Sequence, residues 1–179
     1  MEQDTKEWIE VSREQGQKTF GRSVDKVRFR LPDGREADFA LFSGGQSVAC
    51  VALTTDQQVI LVRQFRPGPK KMLTEIPGGG LKDGENMEEA MARELLEETG
   101  YRGQMKFVTS LFHDGYSPRI KHALVVTECT KIAEPQLEDN GESVEVVLVS
   151  LEDFRRHLRT GQLTDVEIGY LGLDFLELL

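Results

Sequence analysis

The sequence "GGLKDGENMEEAMARELLEETGY", Gly79–Tyr101, joins a glycine-rich segment to an acidic run. Its apolar residues recur at helical spacing, and Gly100 is a typical helix stop, so we predict a helix over about Asn86–Thr99. Three glycines, Gly78–Gly80, come before it and allow bare carbonyls or amides of the backbone to approach a ligand closely. The stretch therefore predicts a ligand-binding turn followed by an amphipathic helix.

Two glutamates of this helix lie within its apolar stripe. On a helical wheel at about 100° per residue, Glu94 and Glu98 fall inside the apolar arc, Glu97 lies nearby and Arg93 falls on the far side. Two carboxylates one turn apart repel each other and resist burial unless a cation compensates them. The wheel puts no basic residue among them and the cluster has no histidine, which favours Mg²⁺ or Mn²⁺ over zinc. A solvated acidic face after a glycine-rich loop is the alternative.

The composition suits one globular domain of 179 residues. The net charge of −9 disfavours binding to nucleic acid or to an anionic membrane. Cys50 and Cys129 lie in apolar runs and read as free thiols in a reducing compartment. The polar N-terminal residues lack the apolar core of a secretory signal, and no apolar run approaches the roughly 20 residues that span a bilayer. We expect a cytoplasmic protein.

The remaining pattern predicts strands and two late helices. Alternating apolar and charged residues predict a hairpin of Val24–Leu31 and Glu36–Phe42, and a second hairpin with its tip at Thr55–Gln58 is apolar enough to be central. Further strands are predicted in "MLTEI", "KFVTSLF", "HALVVTEC" and "SVEVVLVS", and helices in "LEDFRRHLRTG" and "TDVEIGYLGLDFLELL", the last capped by Thr164 or Asp165. We predict an α/β domain with a mixed sheet over residues 46–179, and a small antiparallel β-sheet within residues 1–45.

The spacing of Gly79, Glu85 and Arg93–Tyr101 resembles the box of the Nudix hydrolase superfamily. Tyr101 is the one departure, because the family usually has an aliphatic residue there. The resemblance implies an α/β/α sandwich, an ion pair between Arg93 and Glu85, and metal-assisted pyrophosphate hydrolysis. It also implies that Mg²⁺ or Mn²⁺ is bound by Glu94, Glu97, Glu98 and the carbonyl of Gly78.

The flanks of the box resemble one branch of that superfamily. The segments "LPDGRE", "LVRQFRPG", "TEIPGGG" and "DNGESVEVVLVSLEDF" are similar to ADP-ribose and nucleoside-diphosphate-sugar pyrophosphatases, so the likeness covers about Val24–Phe154. It implies that Arg63 and Arg66 contact substrate phosphate or ribose and that Glu75 binds a sugar or base edge. An exposed strand end is the alternative for the two arginines.

A loop carboxylate completes the implied catalytic set. Glu142 matches the residue that serves such enzymes as base or additional metal ligand, beside Glu97 and Glu98 of the box. Asp139 and Glu145 are the other candidates, and a plain loop acid is the alternative.

The segment "HDGYSPRIKH" departs from the ADP-ribose pyrophosphatase pattern. Asp114 stands where a proline is expected, which leaves another nucleoside diphosphate sugar, such as a GDP-hexose, open as substrate. We expect His113 in a polar loop, His122 in a strand and His157 on a helix surface.

Two other functions compete with this prediction. A nucleoside triphosphate or capped-RNA pyrophosphohydrolase is disfavoured by the flanking segments, and the negative charge disfavours RNA. A non-catalytic nucleotide-sugar-binding regulator is disfavoured because the box glutamates are all present.

The N-terminal hairpin has one apolar face to bury, and an isolated two-stranded hairpin is marginal. A second subunit can cover it, and the resemblance implies a homodimer. Trp8 lies in the polar leader. It either packs across the dimer, stacks on the substrate base or packs in the core.

Overall fold

The structure, a computed structural model, describes residues 7–19, 22–136 and 144–179. These residues form two compact units. The first runs to Gly45 and includes Phe112–Ile120, and the second contains Gln46–Leu111 and Lys121–Leu179. The sequence analysis divided the chain at residue 45 and did not expect Phe112–Ile120 to belong with the first unit. The division into two functional regions at residue 45 stays a prediction.

The first unit contains a three-stranded antiparallel sheet in the order β1-β2-β3. Its strands are β1 (Ile9–Glu14), β2 (Val24–Arg30) and β3 (Glu36–Phe42). The hairpin of β2 and β3 is the predicted one, and its turn closes with the Leu31 amide donating to the Arg35 carbonyl at 2.8 Å. The sequence analysis did not predict β1, whose alternation is limited to Ile9 and Val11 and whose six residues are all exposed.

The second unit contains a seven-stranded mixed sheet and three helices. Its strands are β4 (Gln46–Thr54), β5 (Val59–Arg66), β6 (Lys71–Glu75), β7 (Gly78–Gly80), β8 (Tyr101–Asp114), β9 (Ser117–Lys131) and β10 (Val144–Val149). The helices are α1 (Met87–Thr99), α2 (Leu151–Thr160) and α3 (Val166–Phe175). The central order is β10-β5-β4-β9-β8, with β6 paired to β5 and β7 paired to β4. The tip of the β8–β9 hairpin belongs to the first unit.

The two faces of this sheet pack against different helices. Residues alternate between the faces along β4, as expected for a central strand. On one face α1 covers the sheet, and the core there includes Cys50, Ala52, Ile60, Met91, Leu95 and Leu124. On the other face α2 and α3 cover it, and the core includes Val51, Leu53, Leu61, Phe154, Leu158 and Leu173. This layering is the α/β/α sandwich that the resemblance implies. None of the helices in the described ranges is long and apolar enough to span a membrane.

The ends of α1 follow local capping rules. The Asn86 side chain accepts hydrogen bonds from the Glu88 and Glu89 amides, and the Glu89 carboxylate accepts one from the Asn86 amide. At the other end Gly100 adopts a left-handed conformation with φ of 76°. Such a capping box and glycine stop fix where the helix begins and ends, which places the box glutamates.

The start of α3 differs from the prediction. Asp165 occupies the N-cap position, but its backbone is left-handed with φ of 56° and its side chain makes no capping hydrogen bond. Its carboxylate binds the ammonium of Lys121 instead, and the Thr164 hydroxyl donates to Glu75. The expected side-chain cap by Thr164 or Asp165 is therefore wrong, because tertiary partners compete for both side chains.

Candidate active site

The glycine strand β7 lies in close contact with α1. A Cβ atom on Gly79 would lie 2.3 Å from Oε1 of Glu94, so only glycine lets this carboxylate rest against the strand. A Cβ atom on Gly78 would lie 2.3 Å from the carbonyl oxygen of Val48 in β4. The two glycines thus have separate roles, since one admits the helix carboxylate and the other allows β7 to pair closely with β4.

Glu98 is joined directly to this strand. The carboxylate is on a residue only 9% exposed, and its Oε2 accepts a hydrogen bond from the Gly78 amide at 3.0 Å. The bond fixes the Glu98 side chain beside the residue whose carbonyl is the implied fourth ligand. Its position in the apolar stripe of α1 agrees with the wheel, because Ala90, Met91 and Leu95 are buried on the same helix.

Arg93 connects four groups of the site. Its Nε donates to Glu85 Oε1 at 2.8 Å, and its Nη2 donates to Glu85 Oε2 and to the Gly80 carbonyl, each at 2.9 Å. Its Nη1 donates to Glu94 at 2.8 Å and to Glu97 at 3.1 Å. The ion pair with Glu85 that the resemblance implies is present. The expectation that no basic residue lies among the glutamates is wrong, since a wheel locates Cα atoms and the long arginine side chain reaches around the helix.

The electrostatics of the cluster leave it short of positive charge. Arg93, with help from the Lys82 amide, lowers the pKa of Glu85 to about 2, so Glu85 is ionised. For Glu94, burial raises the pKa more than the nearby Arg93 lowers it. Arg93 contacts three carboxylates and Lys82 lowers the pKa of two of them at longer range, so carboxylates outnumber basic groups in the cluster.

The donor chemistry of the box fits a hard divalent cation, although the carboxylates are not gathered around one point. In the part of the chain that the structure describes, no group of three or more histidine, cysteine or acidic side chains forms a ready metal site. Glu94 and Glu97 are drawn towards Arg93, whereas Glu98 bonds to Gly78. All the candidate donors are oxygens on α1 and β7, which is the set that Mg²⁺ prefers.

A second group of polar residues surrounds Glu75, which is 1% exposed. Its Oε2 accepts from Nε of Arg66 at 2.6 Å, and its Oε1 accepts from the Thr164 amide at 3.1 Å and from the Thr164 hydroxyl. Both carboxylate oxygens therefore already bind protein groups, while the Arg66 side chain is 35% exposed. Sequence reasoning missed Thr164, because nothing in a local pattern links it to a glutamate 89 residues away.

Of the other predicted site residues, Arg63 and Glu145 lie on neighbouring strands. Arg63 on β5 lies opposite Glu145 on β10, with 3.6 Å between Nη1 and Oε2, and both side chains are more than half exposed. Glu142 and Asp139 lie outside the described residues. The roles given to these residues stay predictions.

Trp8 lies in the first unit, on the three-stranded sheet. Its ring centroid is 5.1 Å from that of Phe39 and 6.1 Å from that of Phe29, and the residue remains 50% exposed. Of the expected roles, this geometry supports packing of Trp8 against the aromatic residues of its own sheet. Half of the residue remains open to solvent.

The histidines occupy three different settings. His122 is in β9 as expected, with its ring nitrogens beside Ser110 and Gln46, and burial lowers its pKa. His113 lies in β8 rather than in a loop. His157 lies on α2 but is half-buried, and its Nε2 is 2.6 Å from the Thr74 carbonyl oxygen, so it links α2 to β6.

Comparisons with known proteins identify the class. A family model described as the NUDIX domain matches residues 45–168. The chain is 31% identical to the ADP-ribose pyrophosphatase of Bacillus subtilis (strain 168) over 83% of its own length and 80% of the relative. It is 29% identical to the methanol dehydrogenase activator of Bacillus methanolicus over 84% of both chains, and 34% identical to the ADP-sugar pyrophosphatase of Mus musculus over 76% of this chain and 64% of the relative. The chain therefore belongs to the Nudix family.

A solved structure supports the fold. The crystal structure of an ADP compounds hydrolase matches with a TM-score of 0.84 and 19% identity, over 98% of this chain and 97% of that one. The resemblance to Nudix hydrolases of the ADP-ribose pyrophosphatase type is confirmed, and with it the prediction of a pyrophosphatase enzyme. Nudix hydrolases generally use divalent metal ions, which agrees with the oxygen donors of α1.

Proposed function

We propose that the enzyme hydrolyses the pyrophosphate bond of a nucleoside diphosphate sugar, ADP-ribose or a similar compound, and that Mg²⁺ or Mn²⁺ is its cofactor. The products are a nucleoside monophosphate and a sugar phosphate. The observation that carries the proposal is the array of three glutamates on α1, in which Glu94 and Glu98 lie against the glycine strand and Glu94 and Glu97 share Arg93. Two relatives are named for ADP-ribose and ADP-sugar pyrophosphatase activity, which supports the substrate class.

In this proposal the box holds the cation. Glu94, Glu97 and Glu98, with the Gly78 carbonyl, are the groups that would bind it. When bound, a divalent cation supplies charge neutralisation and Lewis-acid activation at the phosphoryl oxygens. The task of Arg93 is to keep neighbouring carboxylates together by neutralising Glu85 and bridging two others.

A carboxylate near the cation is needed to accept the proton of the attacking water. We propose Glu142 for this role, with Asp139 and Glu145 as the other candidates. Glu97 and Glu98 stay in the proposed catalytic set, because a carboxylate that binds the cation also orients the groups around it.

Arg66 and Arg63 are proposed to bind the anionic substrate. Both lie on β5 and keep part of the guanidinium exposed, and arginine suits phosphate because its planar fork donates two parallel hydrogen bonds. For Glu75 the contacts support a role through Arg66 rather than a direct bond to sugar or base, since both of its oxygens have protein partners.

A substrate panel tests the proposal. The purified protein is incubated with ADP-ribose, other ADP-sugars, GDP-hexoses, nucleoside triphosphates and a capped RNA, with Mg²⁺, with Mn²⁺ or with EDTA. Phosphate released by an added phosphatase reports the products. We expect turnover of at least one nucleoside diphosphate sugar, with none in EDTA. Failure to hydrolyse any diphosphate sugar, with turnover of triphosphates or RNA instead, would contradict it.

The panel includes GDP-hexoses because of the hairpin between β8 and β9. Asp114 replaces the proline expected there, and its Oδ1 accepts from the Tyr116 amide at 2.6 Å to form a tight turn. A proline side chain has no oxygen that could accept this hydrogen bond.

The bond that breaks is tested in ¹⁸O water. Attack of water on one phosphorus places the label in only one of the two products. Release of free nucleoside diphosphate and free sugar would mean glycosidic cleavage and would overturn the proposed reaction.

We further propose a cytoplasmic homodimer. Within the first unit, Phe29 and Phe39 are only half-buried and Ile9 and Val11 are exposed, so the small sheet has apolar surface to cover. Cys50 and Cys129 are free and buried, which suits a reducing compartment. Light scattering at micromolar concentration should give the mass of two chains, and a monomer would refute the dimer.

A further inference from the structure

Three residues from separate segments form a connected group that we name the β6–α3 cluster: Arg66 of β5, Glu75 of β6 and Thr164 before α3. Thr164 donates twice to one oxygen of Glu75, through its amide at 3.1 Å and through its hydroxyl. The other oxygen of Glu75 accepts from Arg66 Nε at 2.6 Å. The chain thus links the start of α3 to an arginine on β5 through one buried carboxylate.

The position of Thr164 is itself fixed by the fold. Its neighbour Asp165 is held by Lys121 of β9, and Lys121 also donates to Glu167 in the first turn of α3 at 3.1 Å. On the other side, His157 of α2 contacts the carbonyl oxygen of Thr74, the residue before Glu75. The segment that carries Thr164, between α2 and α3, is therefore tied to β9, and β6 is tied to α2.

Burial makes the geometry of this cluster restrictive. A buried carboxylate requires hydrogen bonds on its oxygens, and a missing one is costly. With Oε1 held by Thr164, the carboxylate plane is set, and Oε2 then fixes Nε of Arg66. A guanidinium is planar, so fixing Nε also fixes the direction of its two terminal amino groups, Nη1 and Nη2. Those groups belong to a side chain that is 35% exposed.

We propose that Thr164 is a positioning residue that acts through Glu75 to aim the guanidinium of Arg66 at the substrate diphosphate. This inference rests on the proposed function, in which Arg66 binds phosphate or ribose. Thr164 itself touches no substrate. Its hydroxyl limits the rotation of Glu75, and the pre-set guanidinium loses less freedom when the anion binds.

The decisive variant is Thr164→Val, which keeps the shape and the backbone amide but removes the hydroxyl. We expect KM for the preferred diphosphate sugar to rise by about tenfold, with kcat within about twofold of wild type. Thr164→Ser should restore KM. Combined with Arg66→Ala, the valine variant should add nothing, because residues that act through one another are not additive.

Thr160→Val is the matched control. It also deletes a threonine hydroxyl on the α2–α3 side of the sheet, where Thr160 donates to the His157 carbonyl at 2.6 Å, and it does not contact Glu75. Its KM should stay at the wild-type value. Thermal unfolding of each variant distinguishes a general loss of stability from a local change in the orientation of the Arg66 guanidinium.

A second readout does not depend on turnover. Hydrogen exchange of the Arg66 Nε–H, followed by NMR and assigned with Arg66→Lys, should become about tenfold faster in Thr164→Val than in Thr160→Val. A wild-type protein that hydrolyses no diphosphate sugar would overturn the proposed function, and the exchange rates would still decide whether Thr164 holds Arg66.

Three results would overturn the positioning role. They are an exchange rate and a KM unchanged in Thr164→Val, an equal rise of KM in Thr160→Val, or a further rise when Thr164→Val is added to Arg66→Ala. Restoration by serine, together with faster Nε–H exchange in the valine variant, would establish it.

Discussion

Two arginine-centred clusters lie in the second unit, and they differ in how the chain assembles them. The box cluster, Gly78–Gly80 with Glu85 and Arg93–Glu98, lies within 21 consecutive positions of the chain, from 78 to 98. The β6–α3 cluster draws Arg66, Glu75 and Thr164 from positions up to 98 residues apart (164 minus 66). Local spacing therefore encodes the first cluster, whereas only the packed fold creates the second.

The two clusters also differ in charge. In the first, one arginine contacts Glu85, Glu94 and Glu97, so negative charge is in excess. In the second, Arg66 and Glu75 balance each other one to one. An excess of carboxylates attracts a cation, and a neutral pair that exposes its guanidinium offers hydrogen bonds to an anion. This difference supports the proposal that the box binds the cation and that the β6–α3 cluster binds the substrate anion.

The largest effect is expected from Glu98→Gln. Removing one carboxylate charge from the box should lower kcat by about 10³-fold and weaken Mg²⁺ binding, while the fold is kept. Glu88→Gln is the matched control, because Glu88 is an exposed glutamate in the first turn of the same helix. Activity and Mg²⁺ titration calorimetry give the two readouts. If the Glu98→Gln enzyme kept most of its activity, the proposal that the box carboxylates bind the cation would be contradicted.

Arg93→Ala should combine a catalytic and a structural loss. The change leaves Glu85, Glu94 and Glu97 without their shared partner, and the side chain is only 19% exposed. We expect the free energy of unfolding to fall by about 2–4 kcal/mol and the activity to fall by about 10²-fold. Added Mg²⁺ should recover part of the thermal stability, because it neutralises the same carboxylates. Urea unfolding with and without Mg²⁺ measures both effects, and a variant as stable as wild type would contradict the role of Arg93.

Two of the three glycines of β7, Gly78 and Gly79, are expected to affect stability and activity separately. In Gly79→Ala the new Cβ meets the flexible end of Glu94, so the side chain shifts and activity falls by about tenfold with little change in stability. In Gly78→Ala the new Cβ meets backbone atoms of β4, which should cost about 1–3 kcal/mol of stability. Thermal melts and initial rates on both variants check the contrast. The reverse pattern would show that Glu94 is not held against Gly79.

Trp8→Ala is expected to have the smallest effect, because Trp8 belongs to neither cluster. Loss of its packing on Phe29 and Phe39 should lower stability by about 1–2 kcal/mol, since half of the residue is already exposed. KM should stay unchanged. A clear rise of KM without a change in stability would instead support the stacking of Trp8 on the substrate base.

The sequence predicted most of the fold because its apolar patterns are local. The hairpin of β2 and β3, the hairpin of β4 and β5, and the full length of α1 follow from alternation, helical spacing and capping residues. Strand β1 was not predicted, because two apolar residues, Ile9 and Val11, are too short an alternation to indicate a strand.

The site shows the same division. The contact between Arg93 and Glu85 was implied by the resemblance to the Nudix box. The reach of Arg93 to Glu94 and Glu97 depends on side-chain length, which a wheel ignores. The bond from Thr164 to Glu75 depends on where α3 starts against β6. No pattern within either segment carries that information.

One kinetic comparison tests most directly whether the box serves catalysis and the β6–α3 cluster serves substrate binding. Glu98→Gln and Arg66→Ala are assayed on the same diphosphate sugar at saturating Mg²⁺, and kcat and KM are resolved for each. The account predicts that Glu98→Gln lowers kcat with KM nearly unchanged, and that Arg66→Ala raises KM with kcat nearly unchanged. A fall of kcat alone in Arg66→Ala, or a rise of KM alone in Glu98→Gln, would contradict it.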